Sequence, residues 1–158
     1  MKKILKIPVI RQLKMHCGPA CLSMVFSHFW LDYSQKEIVE YFLDLEDLRE
    51  RGTYRSEMVK IAKDVGLNAT NKRQMNIQDI TRNLEKDNLI IALGRSTQRA
   101  SGHYSVINGF EELGKRGHLL HTVDPYGGRQ KEIYSNFRGI WGRVKNRKLH
   151  YDGIIIGE

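Results

Sequence analysis

The sequence predicts an α+β fold in which an N-terminal helical half packs on one side of an antiparallel sheet. Two observations carry this. Apolar residues recur at helical spacing from Cys17 to about residue 86, and from residue 89 the pattern changes to short apolar or alternating runs punctuated by turn residues. The linker Glu111–Gly117 between two of those runs suits a hairpin, and hence antiparallel pairing.

Residues 1–11 read as an extended lead-in, because Pro8 and the alternation of Ile7 and Val9 with their neighbours disfavour helix. Cys17 opens the first helix. Leu22, Val25, Phe26 and Phe29 share one stripe, Gly18-Pro19 suits a first turn where a missing N–H costs little, and no breaker intervenes before Trp30. Ser34-Gln-Lys-Glu37 is a capping-box pattern for a short helix that turns Ile38, Tyr41 and Phe42 inward. After a polar, acidic stretch, a third helix begins around Thr53–Ser56, carries Met58, Ile61, Ala62 and Val65, and stops at Gly66. Residues 67–75 read as a strand, and Asn76 caps a helix built on Ile77, Ile80 and Leu84.

The strands follow. Leu89–Leu93, His103–Phe110 and His118–Val123 are buried-strand patterns, Gly127-Gly128 marks a turn, and Lys131–Tyr134 is a short strand. Asn136–Trp141 reads as a short helix and Ile154–Ile156 as a closing strand. With no repeat, low-complexity tract or long linker, residues 1–158 are expected to form a single domain, its helical half at about 12–86 and its sheet half at about 89–158.

A chain of 158 residues buries about two-thirds of its unfolded surface without disulfides or metal. Cys17 and Cys21 lie one helical turn apart, where a disulfide would close almost no loop, so a reduced pair is expected. No apolar run approaches the length of a membrane span, and Met1–Pro8 lacks the apolar centre of a signal peptide. The expected location is cytoplasmic, or that of a domain within a larger exported or membrane-associated protein. The net charge of +8 is segregated. Lys2, Lys3, Lys6, Arg11 and Lys14 form one basic segment and Arg143, Lys145, Arg147 and Lys148 another, while Glu37–Glu50 is mainly acidic. No nucleic-acid module motif accompanies the charge, so no specific nucleic-acid partner is expected and a solvated surface is the simpler reading.

Chemistry concentrates on Cys17. At a helix N-terminus, unpaired N–H groups and the positive end of the macrodipole favour a thiolate, the species that attacks carbonyl carbon. Gln12, in the loop just upstream, supplies an amide that together with the Cys17 N–H would suit an oxyanion. His103 opens a strand in the other half of the chain, and Asp124 ends the next. If those strands pair as a hairpin, the carboxylate reaches the imidazole and fixes its tautomer. Each residue also has a plainer reading: Cys17 as a small buried hydrophobe, His103 as a polar strand-edge residue, Asp124 as a turn opener before Pro125, Gln12 as a surface glutamine. His118 and His121 are three apart on a strand and point to opposite faces, and Cys17 and Cys21 lack knuckle spacing, so no metal site is expected.

Taken together, Gln12, Cys17-Gly-Pro-Ala, Gly102-His103-Tyr, Asp124-Pro125 with Gly127-Gly128, and the later Phe137 and Trp141 resemble family 39 of the cysteine peptidases, the double-glycine leader or bacteriocin-processing group of the papain-like clan. The matches run in the family's order along nearly the whole chain. The resemblance implies a papain-like fold with Cys17 as nucleophile, His103 as general base and acid, Asp124 as its orienting partner, Gln12 as oxyanion donor, and no cofactor. His16 stands where transporter-attached members usually carry an acidic residue, and Gln12 stands one position closer to the cysteine, so the chain looks more like the free-standing relatives. His16 and Gly102, beside the nucleophile and the histidine, are the expected substrate contacts. The implied activity is hydrolysis of a peptide or amide bond in a peptide or protein, a leader peptide among the candidates. The same residues would also serve an acyl or peptidyl transferase or a toxin domain with an inhibitor protein as partner, whereas the intact set of four counts against a catalytically silent leader-peptide-binding module.

Overall fold

The computed structural model describes residues 1–96, 99–141 and 151–158. The basic run Arg143, Lys145, Arg147 and Lys148 lies outside the described residues. In chain order the elements are β1 (Lys2–Ile4), α1 (Cys17–His28), α2 (Gln35–Phe42), α3 (Leu45–Arg51), α4 (Arg55–Asp64), β2 (Asn68–Lys72), α5 (Ile77–Glu85), β3 (Leu89–Ser96), β4 (Arg99–Glu112), β5 (His118–Asp124), β6 (Gly128–Ile133), α6 (Tyr134–Ile140) and β7 (Gly153–Gly157). The strands form one antiparallel sheet in the order β2-β7-β3-β4-β5-β6, and β1 pairs with the far end of β4. This is the α+β arrangement expected.

Two of the local signals act as their chemistry dictates. Ser34 accepts the Glu37 N–H at 3.1 Å while Glu37 accepts the Ser34 N–H at 3.1 Å, a complete capping box that starts α2. Asn76 does the same for α5 with Asp79, at 2.9 and 3.0 Å. The helix opened by Cys17 ends at His28, short of Trp30, which adopts φ 63° and is 93% exposed. The acidic stretch after α2 is itself a helix, α3, capped by Asp44. It shows no apolar stripe because only Leu48 among its residues is buried.

α1 packs against β4 and supplies the centre of the core, where Cys21, Leu22, Met24, Val25 and Phe26 meet Ile90, Val106, Ile107, Phe110 and Ile154. Each large apolar side chain buried there contributes about 1.5–3 kcal/mol. β4 runs for 14 residues and pairs in succession with β3, β5 and β1. Its register shifts between Ile107 and Gly109. At that shift Asn108 donates Nδ2 to the Leu5 carbonyl and accepts the Leu5 N–H on its own carbonyl, stitching the lead-in to the sheet. Gly109 has room for no Cβ, since one would meet the Lys3 carbonyl at 2.9 Å.

Candidate active site

The site forms where the N-terminus of α1 meets the paired ends of β4 and β5. Cys17 is the first residue of α1, half-buried, and its neighbours Gly18, Pro19 and Ala20 are buried. His16 caps the helix without a side-chain hydrogen bond, so the first-turn N–H groups remain available as donors. Gly18 is required by packing: a Cβ there would lie 2.9 Å from Thr53 Cβ and 3.0 Å from Thr53 Oγ1.

The β4–β5 register, with Val106 opposite Val123, carries Asp124 alongside the start of β4 that bears His103. His103 Nε2 donates to Asp124 Oδ1 at 2.9 Å. The same oxygen accepts the N–H groups of Tyr126 at 2.7 Å and Gly127 at 3.1 Å. The turn-opening role of Asp124 and its contact with the imidazole therefore share one atom, and the Asp-Pro-Tyr-Gly turn aims the carboxylate. With Nε2 engaged, Nδ1 is the nitrogen left for Cys17, whose side chain is the second hydrogen-bond and charge partner of His103.

Electrostatics favours a charged His103 ring on an ionised Asp124. Burial works against a charged His103, but the hydrogen bonds and charges of Asp124 and Cys17 outweigh it and raise its pKa from 6.5 to about 9. Burial likewise works against the Asp124 carboxylate, yet the His103 contact and the Tyr126 and Gly127 N–H groups hold its pKa below the ordinary value. Cys21, fully buried one turn along α1, has its thiol pushed well up by burial and by the charges of Cys17 and Asp124, which leaves it a core residue.

Gln12 reaches the site through its backbone. Its N–H donates to the Pro125 carbonyl at 2.8 Å, tying the loop before α1 to the loop after Asp124. Its Nε2 makes a long bond of 3.3 Å to the Leu13 carbonyl, and its Oε1 is buried without a partner among the described residues. A turn closed by the His16 N–H on the Leu13 carbonyl at 2.9 Å, with Met15 at φ 64°, links Gln12 to Cys17. His16 is buried and donates Nδ1–H to the Lys14 carbonyl at 2.7 Å, which assigns its tautomer and leaves Nε2 as the remaining ring nitrogen. Gly102 is exposed on β4 opposite Arg95. His121 pairs with Glu111 at 2.6 Å.

Two contacts had no sequence signal of their own. Tyr104, beside His103, is buried and donates its hydroxyl to the Thr53 carbonyl at 2.8 Å; burial and the nearby Cys17 charge push its pKa up. Gly94 pairs with His103 and approaches Trp141, whose Cα would lie 3.2 Å from a Cβ at residue 94. That approach lets Trp141 and Phe137 close a cavity of about 70 Å³ behind His103 and Asp124. A larger cavity, about 830 Å³, lies elsewhere, beside Trp30 at the far end of α1.

A cysteine at a helix N-terminus, facing an imidazole held by a carboxylate on an adjoining antiparallel sheet, defines the class of papain-like cysteine peptidases. The chain is an enzyme of that peptidase class, and it belongs to the Peptidase_C39 like family, whose model matches residues 4–149. No curated protein matches the sequence. Among solved structures, a candidate C39-like peptidase from Bacillus anthracis is similar at 12% identity and TM-score 0.75, covering 100% of this chain and 98% of the other. The peptidase domain of Streptococcus ComA, a bi-functional ABC transporter involved in quorum sensing, matches at 19% identity and TM-score 0.66, covering 97% and 98%. A double glycine motif protease from an AMS/PCAT transporter, in complex with the leader peptide, matches at 22% identity and TM-score 0.65, covering 98% and 93%. At these identities the likeness is one of fold. No helix among the described residues is long and apolar enough to cross a membrane.

Proposed function

We propose that residues 1–158 form one catalytic domain that cleaves a peptide or amide bond through an acyl-enzyme on Cys17, with His103, Asp124 and Gln12 as its partners. The observation that carries this reading is the single Asp124 oxygen that receives His103 Nε2–H and two backbone N–H groups, leaving Nδ1 to Cys17. The Cys17 sulfur attacks the carbonyl carbon as a thiolate, its proton held on His103 Nδ1. The oxyanion that forms is received by the Cys17 N–H and by the second N–H of Gln12 Nε2. The C–N bond breaks as Nδ1 delivers its proton to the leaving amine, which leaves a thioester on Cys17. Water then gives a proton to Nδ1, attacks the thioester, and releases the acid as the C–S bond breaks. Asp124 stays ionised throughout and fixes the ring so that Nδ1, not Nε2, faces the sulfur.

The substrate in this reading is a peptide. One structural relative is a double glycine motif protease bound to a leader peptide, which makes a leader-bearing peptide the first candidate. His16, directly before the nucleophile, and Gly102, directly before the histidine, are the proposed contacts on either side of the scissile bond. His16 with its N–H on Nδ1 presents a different surface from an acidic side chain, and this bears on sequence preference rather than on bond cleavage.

Treatment of the full chain with a thiol-directed electrophile, followed by peptide mass mapping, tests the nucleophile. Labelling should fall on Cys17 and vanish in Cys17→Ala without loss of the thermal transition; persistent labelling elsewhere in that variant refutes the assignment. Denaturing mass spectrometry after mixing with a peptide ester should then find the acyl group on Cys17.

A further inference from the structure

An oxyanion donor works only if it is in place before the charge develops. Gln12 lies outside any helix or strand, so its position depends on what its neighbouring peptide groups bond to. One side chain takes the peptide groups on both sides of it. Gln35 Nε2 donates to the Arg11 carbonyl at 2.8 Å, and Gln35 Oε1 accepts the Leu13 N–H at 2.9 Å. The amide thus spans residue 12 as an adjacent β-strand would, taking one acceptor and one donor from the same stretch of backbone. With the Gln12 N–H on the Pro125 carbonyl, residue 12 is held between α2 and the turn that carries Asp124.

The anchor is rigid. Gln35 is the first residue of α2, half-buried, and the Ser34–Glu37 capping box fixes the backbone from which it projects. The chemistry is specific as well. A carboxylate accepts but cannot donate, an ammonium donates but cannot accept, and only an amide of this length offers both to two peptide groups at once.

We propose that Gln35 is the positioning residue of the oxyanion hole: its side-chain amide holds the Arg11–Leu13 backbone so that the Gln12 side chain is aimed before substrate arrives. This rests on the reading of Gln12 as the oxyanion donor. Gln35 touches neither substrate nor sulfur, and its effect passes through residue 12. Loss of the clamp therefore lowers the rate of steps that form a tetrahedral oxyanion and leaves untouched those that do not.

Two reactions of Cys17 separate these cases in the full-length chain: acylation by an activated peptide ester, which passes through an oxyanion, and alkylation by iodoacetamide, which does not. Gln35→Met keeps length and removes both hydrogen bonds; it should slow acylation by about tenfold or more in kcat with KM little changed, against the 10²–10³ expected for loss of a donor itself. Alkylation should stay at the wild-type rate. Gln35→Glu keeps the Leu13 bond and loses the Arg11 bond, so its acylation rate should fall between the two. Gln12→Ala provides the reference. If Gln12→Ala slows acylation and Gln35→Met does not, the positioning role is overturned while the oxyanion assignment stands. If Gln12→Ala leaves acylation unchanged, the oxyanion assignment itself fails. A parallel fall of acylation and alkylation in both Gln35 variants would make Gln35 a structural residue and overturn the proposal.

Discussion

Replacing Asp124 with Asn isolates the charge from the geometry. The Asn side-chain oxygen can still accept the Tyr126 and Gly127 N–H groups and the ring Nε2–H, so the turn and the ring orientation survive. What disappears is the negative charge. His103 titrates at about 9 against an ordinary 6.5, a preference for the charged ring of about 3 kcal/mol. Burial opposes that preference, and Asp124 and Cys17 supply it, so in Asp124→Asn only Cys17 stands against burial. The ring should titrate at least about one pH unit lower, equivalent to about 1.4 kcal/mol. NMR titration of the His103 ring reads the midpoint directly, and the alkaline limb of the Cys17 alkylation profile should move with it. Stability carries the same signature. The raised His103 pKa contributes stability that is complete below 6.5 and lost as pH rises through about 9; the lowered Asp124 pKa contributes stability present above the ordinary carboxylate value and lost as pH falls through its folded one. The melting-temperature gap between wild type and Asp124→Asn should therefore be widest at mildly acidic pH and narrow as pH rises through about 9, where the Tyr126 and Gly127 N–H groups still favour the carboxylate. A His103 midpoint that stays at about 9 in a folded variant would refute Asp124 as the source of the shift.

Gly18→Ala places a Cβ 2.9 Å from Thr53 Cβ next to Cys17 and should cost about 1–3 kcal/mol. At about 2–4 °C per kcal/mol for a chain of this size, a thermal melt resolves it, and an unchanged melting temperature would mean that Thr53 yields freely. Arg55→Met removes the nearer of two cations on Asp152, which is 5% exposed and pairs directly with Arg55 while Arg73 Nε stands 3.8 Å from its other oxygen. Breaking a buried pair costs about 3–5 kcal/mol, reduced here because Arg55 is itself 31% exposed and Arg73 still faces the carboxylate, so a urea midpoint should show Arg55→Met to be more destabilising than Asp152→Asn.

The parts of the fold that the sequence made legible are those whose cause is local. Ser34 and Asn76 start helices because a side-chain oxygen three residues before an N–H is a property of four consecutive residues. β4 and β5 were recognisable because apolar runs separated by a short linker leave antiparallel pairing as the short route. α3 was hidden because one buried residue, Leu48, makes no period. The union of β1 with the tail of β4, and of β2 with β7, was hidden because such pairing is decided by strands more than 80 residues apart in sequence.

The candidate site divides along the same line. Cys17, His103 and Asp124 were legible because each carries a reactive group at a marked position: a Gly-Pro helix start, a Gly-His-Tyr run, an Asp-Pro turn; the strand expected to open at His103 in fact begins at Arg99. Gln35 had no such mark. It sits in a helix N-terminus that its neighbours Ser34 and Glu37 already explain, and its partners are backbone atoms of Arg11 and Leu13, which every residue possesses. Backbone partners leave no imprint on sequence, yet here they decide geometry. The Gln12 N–H on the Pro125 carbonyl joins the loop before α1 to the turn that aims Asp124. The Gln12 side and the His103 side of the site are thereby one hydrogen-bonded unit. A change that shifts the Asp124 turn must therefore move Gln12 as well, and a substitution at Pro125 that alters its carbonyl direction should disturb both acylation and the titration of His103.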